Sequence, residues 1–282
     1  MLNYLKKTPI AQRLKNTWLG RLAIRSAGDW KYPFMLVSWG LASILVPRRK
    51  ISIEGISFTL SCTNWVTHFR WFLFKSKEPE VRYYIDKYVK DGDIFFDIGA
   101  NVGVFSIYAA IRYPNISVYC FEPEYSNLNA LKENIVCNKL MHRANIYSVA
   151  ISNFIGFSKL HLQDITTGSA AHSESRKPIN LTHEGYPVVW TEGIVSVTLD
   201  YLCEQLGVIP NAIKIDTDGN EDKVLEGAVK TLANSNLRSL VIEMPHENKD
   251  KSDLCYEILK SAGLYLAWSN KEKTRNEIWI RQ

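Results

Sequence analysis

The chain is predicted to form an α/β fold, a largely parallel sheet with helices on both faces. Three features carry that prediction. From residue 91 onward, short apolar strand-like runs alternate with helical segments. The first of these strands runs straight into a glycine-bearing loop that opens a helix. Two short β-rich runs near 264–268 and 277–281 follow the last helix and suit an antiparallel pair at a sheet edge.

In chain order, strands are expected at 94–97, 118–121, 146–149, 213–216 and 240–243, with helices at about 103–112, 124–138, 220–234 and 251–262. The stretch 152–200 interrupts the alternation as a long polar insertion, and insertions of this kind commonly carry substrate contacts. Upstream, 51–75 alternates in a way that predicts a short hairpin or edge strands, 75–80 is a polar connector, and 83–89 is a helix leading into the core. The chain therefore divides into a basic, partly apolar extension (1–50), a hairpin with lead-in helix (51–90) and a main domain (91–282).

Composition narrows the class. With 282 residues, 46% apolar and 22% charged, the chain can bury one large core plus a small appendage, which excludes disordered and fibrous classes. The five cysteines, at 62, 120, 137, 203 and 255, form no C-x-x-C pair, so no structural zinc site is expected. Free thiols point to a reducing, cytoplasmic location. The net charge of +5 is unevenly spread: residues 1–50 hold ten Lys or Arg against Asp29 alone, a net +9, leaving −4 for the other 232. The main domain is therefore not expected to bind nucleic acid. Within the extension, residues 33–46 form an uncharged run of 14, short for a membrane span and too far in for a signal peptide. Two readings stay open: a helical cap on the main domain, or a basic, Trp-bearing segment lying on the inner face of an anionic membrane.

The densest constellation is DGDIFFDIGANVG (91–103) followed by VYCFEP (118–123). Gly99 and Gly103 permit a tight turn and close backbone approach, and the helix start offers free N–H groups to an anion. Asp97 ends its strand and can accept hydrogen bonds. Glu122 ends the next strand, where a carboxylate can accept both hydroxyls of a ribose. In a dinucleotide fingerprint a glycine stands where Asn101 is, which disfavours a nicotinamide-dependent oxidoreductase. A P-loop is excluded because no Gly-Lys-Ser/Thr follows.

Four blocks, FFDIGANVGVFS (95–106), FEPEYSNLNALKENI (121–135), VAIS (149–152) with Gly168-Ser169, and VSVTLDYL (195–202) with IKIDTDGNEDKVLEGA (213–228) and SLVIEM (239–244), resemble the FkbM family of S-adenosylmethionine-dependent methyltransferases. The resemblance implies a Rossmann-like, seven-stranded class I methyltransferase sheet. It implies that Asp97, Gly99, Ala100, Asn101 and Gly103 line the methionine side of the cofactor, that Glu122 and Pro123 hold the ribose end, and that Ala150, Ile151 and Ser152 lie near the adenine. It implies O-methylation, often of a sugar or secondary-metabolite hydroxyl. Where the family commonly carries Asp-x-Glu-Gly, this chain has Asp216-Thr-Asp218-Gly219.

A sugar hydroxyl is a weak acid, so methyl transfer to it calls for a positioned base. The candidates are Asp216, at the end of its strand above the crevice; Asp218; Glu221, which opens a helix; and His246, on the same sheet edge. Glu243 and His172 are weighed beside them. Each carboxylate has a plainer alternative role, Asp216 as a loop brace and Glu221 as a helix N-terminal charge. Asp216, Asp218 and Glu221 together have the oxygen chemistry of a magnesium site, although carboxylates at a strand–helix junction often stand without metal, and none is expected. A non-catalytic protein that keeps the fold is the alternative from another class, and the intact Asp97, Gly99, Gly103 and Glu122 set argues against it.

Overall fold

In a computed structural model of the chain, residues 48–281 are described, together with Val37, Ser38 and Leu41. The expectations for residues 1–47 otherwise lie outside the described residues. A hairpin comes first, β1 (Arg48–Ile53) and β2 (Ile56–Ser61), then helices α1 (Trp65–Leu73) and α2 (Pro79–Tyr88). The core follows: β3 (Ile94–Ile98), α3 (Val104–Arg112), β4 (Ser117–Phe121), α4 (Tyr125–Cys137) and β5 (Ala144–Tyr147). β6 (Ala150–Ile151) leads into the insertion, which carries β7 (Gly156–Leu162), β8 (Ser173–Ser175) and β9 (Trp190–Val197). Then come α5 (Leu199–Leu206), β10 (Ala212–Ile215), α6 (Glu221–Glu226), α7 (Val229–Ala233), β11 (Ser239–Glu243), α8 (Lys249–Ser261), β12 (Tyr265–Ser269) and β13 (Asn276–Ile280).

The main sheet has seven strands in the order β12-β13-β11-β10-β3-β4-β5. The five strands from β11 to β5 pair in parallel. The closing pair adds the expected antiparallel edge. The central strands are buried on both faces, so they read as continuous apolar runs (Ala212–Ile215 is buried throughout). One apolar cluster built on Tyr84, Phe95, Ile107 and Val118 and another built on Phe96, Ile98, Ile213 and Trp279 form the two halves of the core.

Three sequence expectations need correction. The stretch 65–73 is a helix, not a strand. Asn64 accepts from Thr67 N–H at 2.9 Å while the Thr67 hydroxyl accepts from Asn64 N–H at 3.2 Å, and this capping box overrides the β-prone Trp, Val, Thr and Phe content. The helix expected over 220–234 is two short helices broken at Gly227. A Cβ there would fall 2.1 Å from the Ser152 carbonyl, and Asp200 caps the second piece by accepting from Lys230 N–H and Thr231 N–H. The strand expected at 146–149 stops at Tyr147, because Ala150–Ile151 pairs in parallel with β9 instead. The polar insertion supplies β7, β8 and β9, which with β6 form a four-stranded sheet, β6-β9-β7-β8, and it is pinned to the main domain at the loop after β3.

Candidate active site

A cavity of about 830 Å³ opens where β3, β4, β10 and β11 end, walled by α1 and by the insertion. Its first wall is the loop after β3. Gly99 (φ +76°) is required there because a Cβ would fall 1.8 Å from the Asp216 carbonyl oxygen, so the close approach is to the neighbouring strand's backbone. Gly103 (φ +82°) precedes α3, and a Cβ on it would meet Leu131 Cδ1 at 2.3 Å. No side chain caps α3, and Val104 and Phe105 of its first turn line the cavity.

Asn101 also sits in the left-handed region, at φ +51°. Its amide donates to the Ser169 carbonyl at 2.7 Å, and Asn127 donates to the same oxygen at 3.2 Å while accepting from Gly168 N–H at 2.6 Å. Gly168-Ser169 of the insertion is thereby clamped over the loop. Glu122 accepts from Asn101 N–H at 2.8 Å and from Glu124 N–H at 2.9 Å. Burial pushes its carboxyl up to about 7, against those two N–H bonds. Ala100, Asn101, Glu122, Pro123, Ala150 and Ile151 all line this half of the cavity, as does Gly99.

The other half is acidic. Carboxylate oxygens of Asp216, Asp218 and Glu243 lie within 4.8 Å of one another. Burial disfavours the charge on Asp216, but Lys214 and Lys77 more than offset it and hold its carboxyl below the usual range. Burial and the Asp216 charge push Asp218 up to about 7. Burial and the Asp216 and Glu221 charges raise Glu243, with Arg275 opposing from 2.5 Å. Asp218 is itself at φ +55°, and its carboxylate accepts from His172 N–H at 3.4 Å.

Five residues singled out in the sequence do not line the cavity, and Gly103, before α3, is one of them. Asp97 is buried and receives a hydrogen bond from the Ser106 hydroxyl and an ion pair from Lys214 Nζ at 3.2 Å. Ser152 donates to Glu174 at 3.3 Å. Glu221 turns back on its own loop, accepting from Thr217 N–H at 2.9 Å and Gly219 N–H at 3.2 Å, so Glu243 rather than Glu221 completes the carboxylate trio. His246 lies 3.6 Å from Glu277, away from the cavity. His172 does line it, and burial lowers its pKa to about 4, leaving a neutral ring with neither nitrogen hydrogen-bonded among the described residues.

Sequence reasoning passed over the cations. Lys214, 3% exposed in the middle of β10, bridges Asp97 and Asp216 at 3.2 Å each and reaches the Gly99 carbonyl at 3.3 Å. Burial opposes its charge, but Asp216 and Asp97 more than offset this and raise its pKa above the usual lysine value. A lone lysine inside the apolar run AIKI was the available signal. Arg275 and Arg70 reach the cavity from β13's approach and from α1, with no local motif to mark them.

An open sheet of this strand order, with a glycine loop after the first core strand and an acid ending the second, defines a Rossmann-like class I methyltransferase fold. The model of the Methyltransferase FkbM domain matches residues 97–264, and the chain belongs to that family. It is 28% identical over 159 residues to the 31-O-demethyl-FK506 methyltransferase FkbM of Streptomyces tacrolimicus, a match spanning 49% of this chain and 60% of that protein. It is 27% identical over 187 residues to the hexuronic acid methyltransferase AglP of Haloferax volcanii, spanning 65% and 69%. Among solved structures, Methyltransferase FkbM from Methylobacillus flagellatus KT superposes with a TM-score of 0.48 at 17% identity, over 77% of this chain and 54% of that one.

Proposed function

We propose that this protein transfers a methyl group from S-adenosylmethionine to a hydroxyl of a sugar in a glycan or glycolipid. The observation that carries the reading is that one cavity presents the Glu122 carboxylate at the end of β4 and, on its acidic side, the Asp218 carboxyl raised to about 7. The residues present fit the cofactor. Gly99–Val102 would run along its methionine part, Glu122 with Pro123 would take the ribose, and Ala150 and Ile151 would flank the adenine. Asp97, Gly103 and Ser152 would act from behind, by holding Lys214, α3 and Glu174 in place. When bound, S-adenosylmethionine supplies an electrophilic methyl carbon on a sulfonium.

The chain's own work is to position the hydroxyl and take its proton. Asp218 is the proton acceptor, because a base is most effective when its pKa lies near the working pH. Asp216, kept ionised by Lys214, holds charge beside it. Trp65, Phe69 and Tyr186 line the acceptor side and offer faces on which a sugar ring can pack. The hexuronic acid methyltransferase among the relatives supports a saccharide acceptor.

Calorimetry with S-adenosylhomocysteine and with NAD tests the donor: saturable binding of the first and none of the second is expected, and the reverse pattern sinks the reading. Glu122→Ala is expected to weaken S-adenosylhomocysteine by about 1.5–3 kcal/mol, the range for charge-assisted bonds to a ribose. Because the ribose needs the carboxylate form and the proton leaves near 7, wild-type binding is expected to be about tenfold weaker at pH 6 than at pH 8. A flat profile removes Glu122 from the site. Transfer of labelled methyl groups to glycan and lipid extracts of the source organism identifies the acceptor.

The +9 charge of residues 1–50 supports action on a lipid-linked sugar at an anionic, cytoplasmic membrane face. Among the described residues no helix is long and apolar enough to cross a membrane. Co-flotation of the full chain with anionic vesicles, lost at high salt, is expected; no flotation eliminates it.

A further inference from the structure

Four cationic side chains line the cavity among the described residues, and three are already paired. Lys214 is shared by Asp97 and Asp216. Arg275 binds Glu184 at 3.0 Å, Glu243 at 2.5 Å and Glu247 at 3.6 Å. Lys77 holds Glu78 at 2.8 Å. Arg70 differs. Its Nε donates to the Gly168 carbonyl at 2.5 Å, which fixes the plane of the guanidinium, while its two Nη groups have no hydrogen-bond partner among the described residues.

The position is built rather than incidental. Gly168 is held by Asn127, and Ser169 by Asn101 and Asn127, so the carbonyl that orients Arg70 belongs to the clamp over the cofactor loop. Burial lowers the pKa of Arg70, and the charges of Glu78, Asp218, Asp216 and Glu122 oppose that shift. None of these carboxylates comes within ion-pair distance of Arg70. They attract the guanidinium without occupying it. A planar fork with its stem fixed and its outer donors open matches a carboxylate, which it can grip through two parallel bonds.

We infer that Arg70 is the carboxylate anchor of the cavity, its Nη fork gripping either the amino-acid carboxylate of the methyl donor or the carboxylate of an acidic sugar acceptor. The inference rests on the cavity being the ligand site proposed above. The carboxylate is the shared chemistry, and its source is decided by two comparisons.

Both use calorimetry on the full chain, wild type and Arg70→Gln. The first compares S-adenosylhomocysteine with 5′-methylthioadenosine, which lacks the amino-acid part. The second compares methyl glucuronide with methyl glucoside, with and without S-adenosylhomocysteine. In one comparison the wild type is expected to favour the carboxylate-bearing ligand by about tenfold or more, as for a bidentate charge-assisted pair. Arg70→Gln should erase that preference while the carboxylate-free partner binds as before, which also shows that the variant is folded. Loss in the first comparison assigns the anchor to the donor, and loss in the second assigns it to an acidic acceptor. A preference that survives Arg70→Gln in both comparisons, or no wild-type preference in either, overturns the inference. So does uniform loss of every ligand in both Arg70→Gln and Arg70→Lys, since that marks a purely structural residue. If neither adenosine compound binds the wild type, the donor reading fails by itself, and the sugar pair still judges Arg70.

Discussion

Asp218→Asn is expected to lower kcat by about 10²–10⁴, the usual contribution of a positioned general base, while leaving S-adenosylhomocysteine affinity nearly unchanged. The substitution is close to isosteric. Asparagine tolerates the left-handed backbone at position 218 (φ +55°) as well as aspartate does. Its amide oxygen can still accept from His172 N–H. What it cannot do is take a proton. The same change has an opposite sign for stability. A buried carboxyl whose folded pKa is raised to about 7 destabilises the fold increasingly as pH climbs from the unfolded value, about 3.9, through 7. Removing that charge from beside Asp216 should therefore raise the melting temperature at pH 8 and have little effect at pH 4. In the wild type, kcat should rise with pH through about 7 and level off above it. A variant that turns over at the wild-type rate would take the base role away from Asp218.

Lys214→Met is expected to destabilise the fold by about 3–5 kcal/mol, the cost of leaving buried charges uncompensated. Methionine fills much of the same volume in β10, so the loss is electrostatic rather than a cavity effect. Asp97 has little alternative: it is 1% exposed, and among the described residues its side chain is otherwise bonded only to Ser106. The sign of the linkage is that of a lysine with a raised pKa: the ion pairs contribute below lysine's ordinary value, about 10.4, and are lost only as pH rises past the folded value. The deficit should accordingly persist across the neutral range. Urea unfolding of Lys214→Met, Asp97→Asn and the double variant measures the coupling, and the double variant should recover part of the single variant's loss. Simple additivity would show that the pair does not interact. Asp216 would also lose the partner that keeps it ionised, so the variant should shift the pH dependence of any remaining activity upward.

The core strands were legible because their signal is local. Runs such as IFFDI and AIKI are apolar on both faces apart from Asp97 and Lys214, and a parallel strand covered on both sides needs nothing more to be seen. Glu122 was legible for a similar reason, since its place follows from the strand it ends. Helix α1 was not, because a two-residue capping box outweighed nine residues of β-prone composition. The broken helix at Gly227 was hidden too, since its cause is the Ser152 carbonyl, 75 positions earlier in the chain. The carboxylate trio shows the same limit. Asp216, Asp218 and Glu221 are close in sequence, yet the start of α6 turns Glu221 back onto Thr217 and Gly219. Parallel pairing of Ile215 with Ile242 brings Glu243 alongside instead.

By itself, then, the amino-acid sequence determined the α/β class, the glycine loop from Gly99 to Gly103, the acid at the end of the second core strand and the family, all of which are properties of contiguous segments. Only the tertiary structure decided which charges share the cavity: Lys214 beneath it, Arg70 and Arg275 beside it, and Glu243 in place of Glu221. A charge is stabilised or displaced by whatever lies within a few ångströms, and in a parallel sheet those neighbours come from strands and helices far apart along the chain.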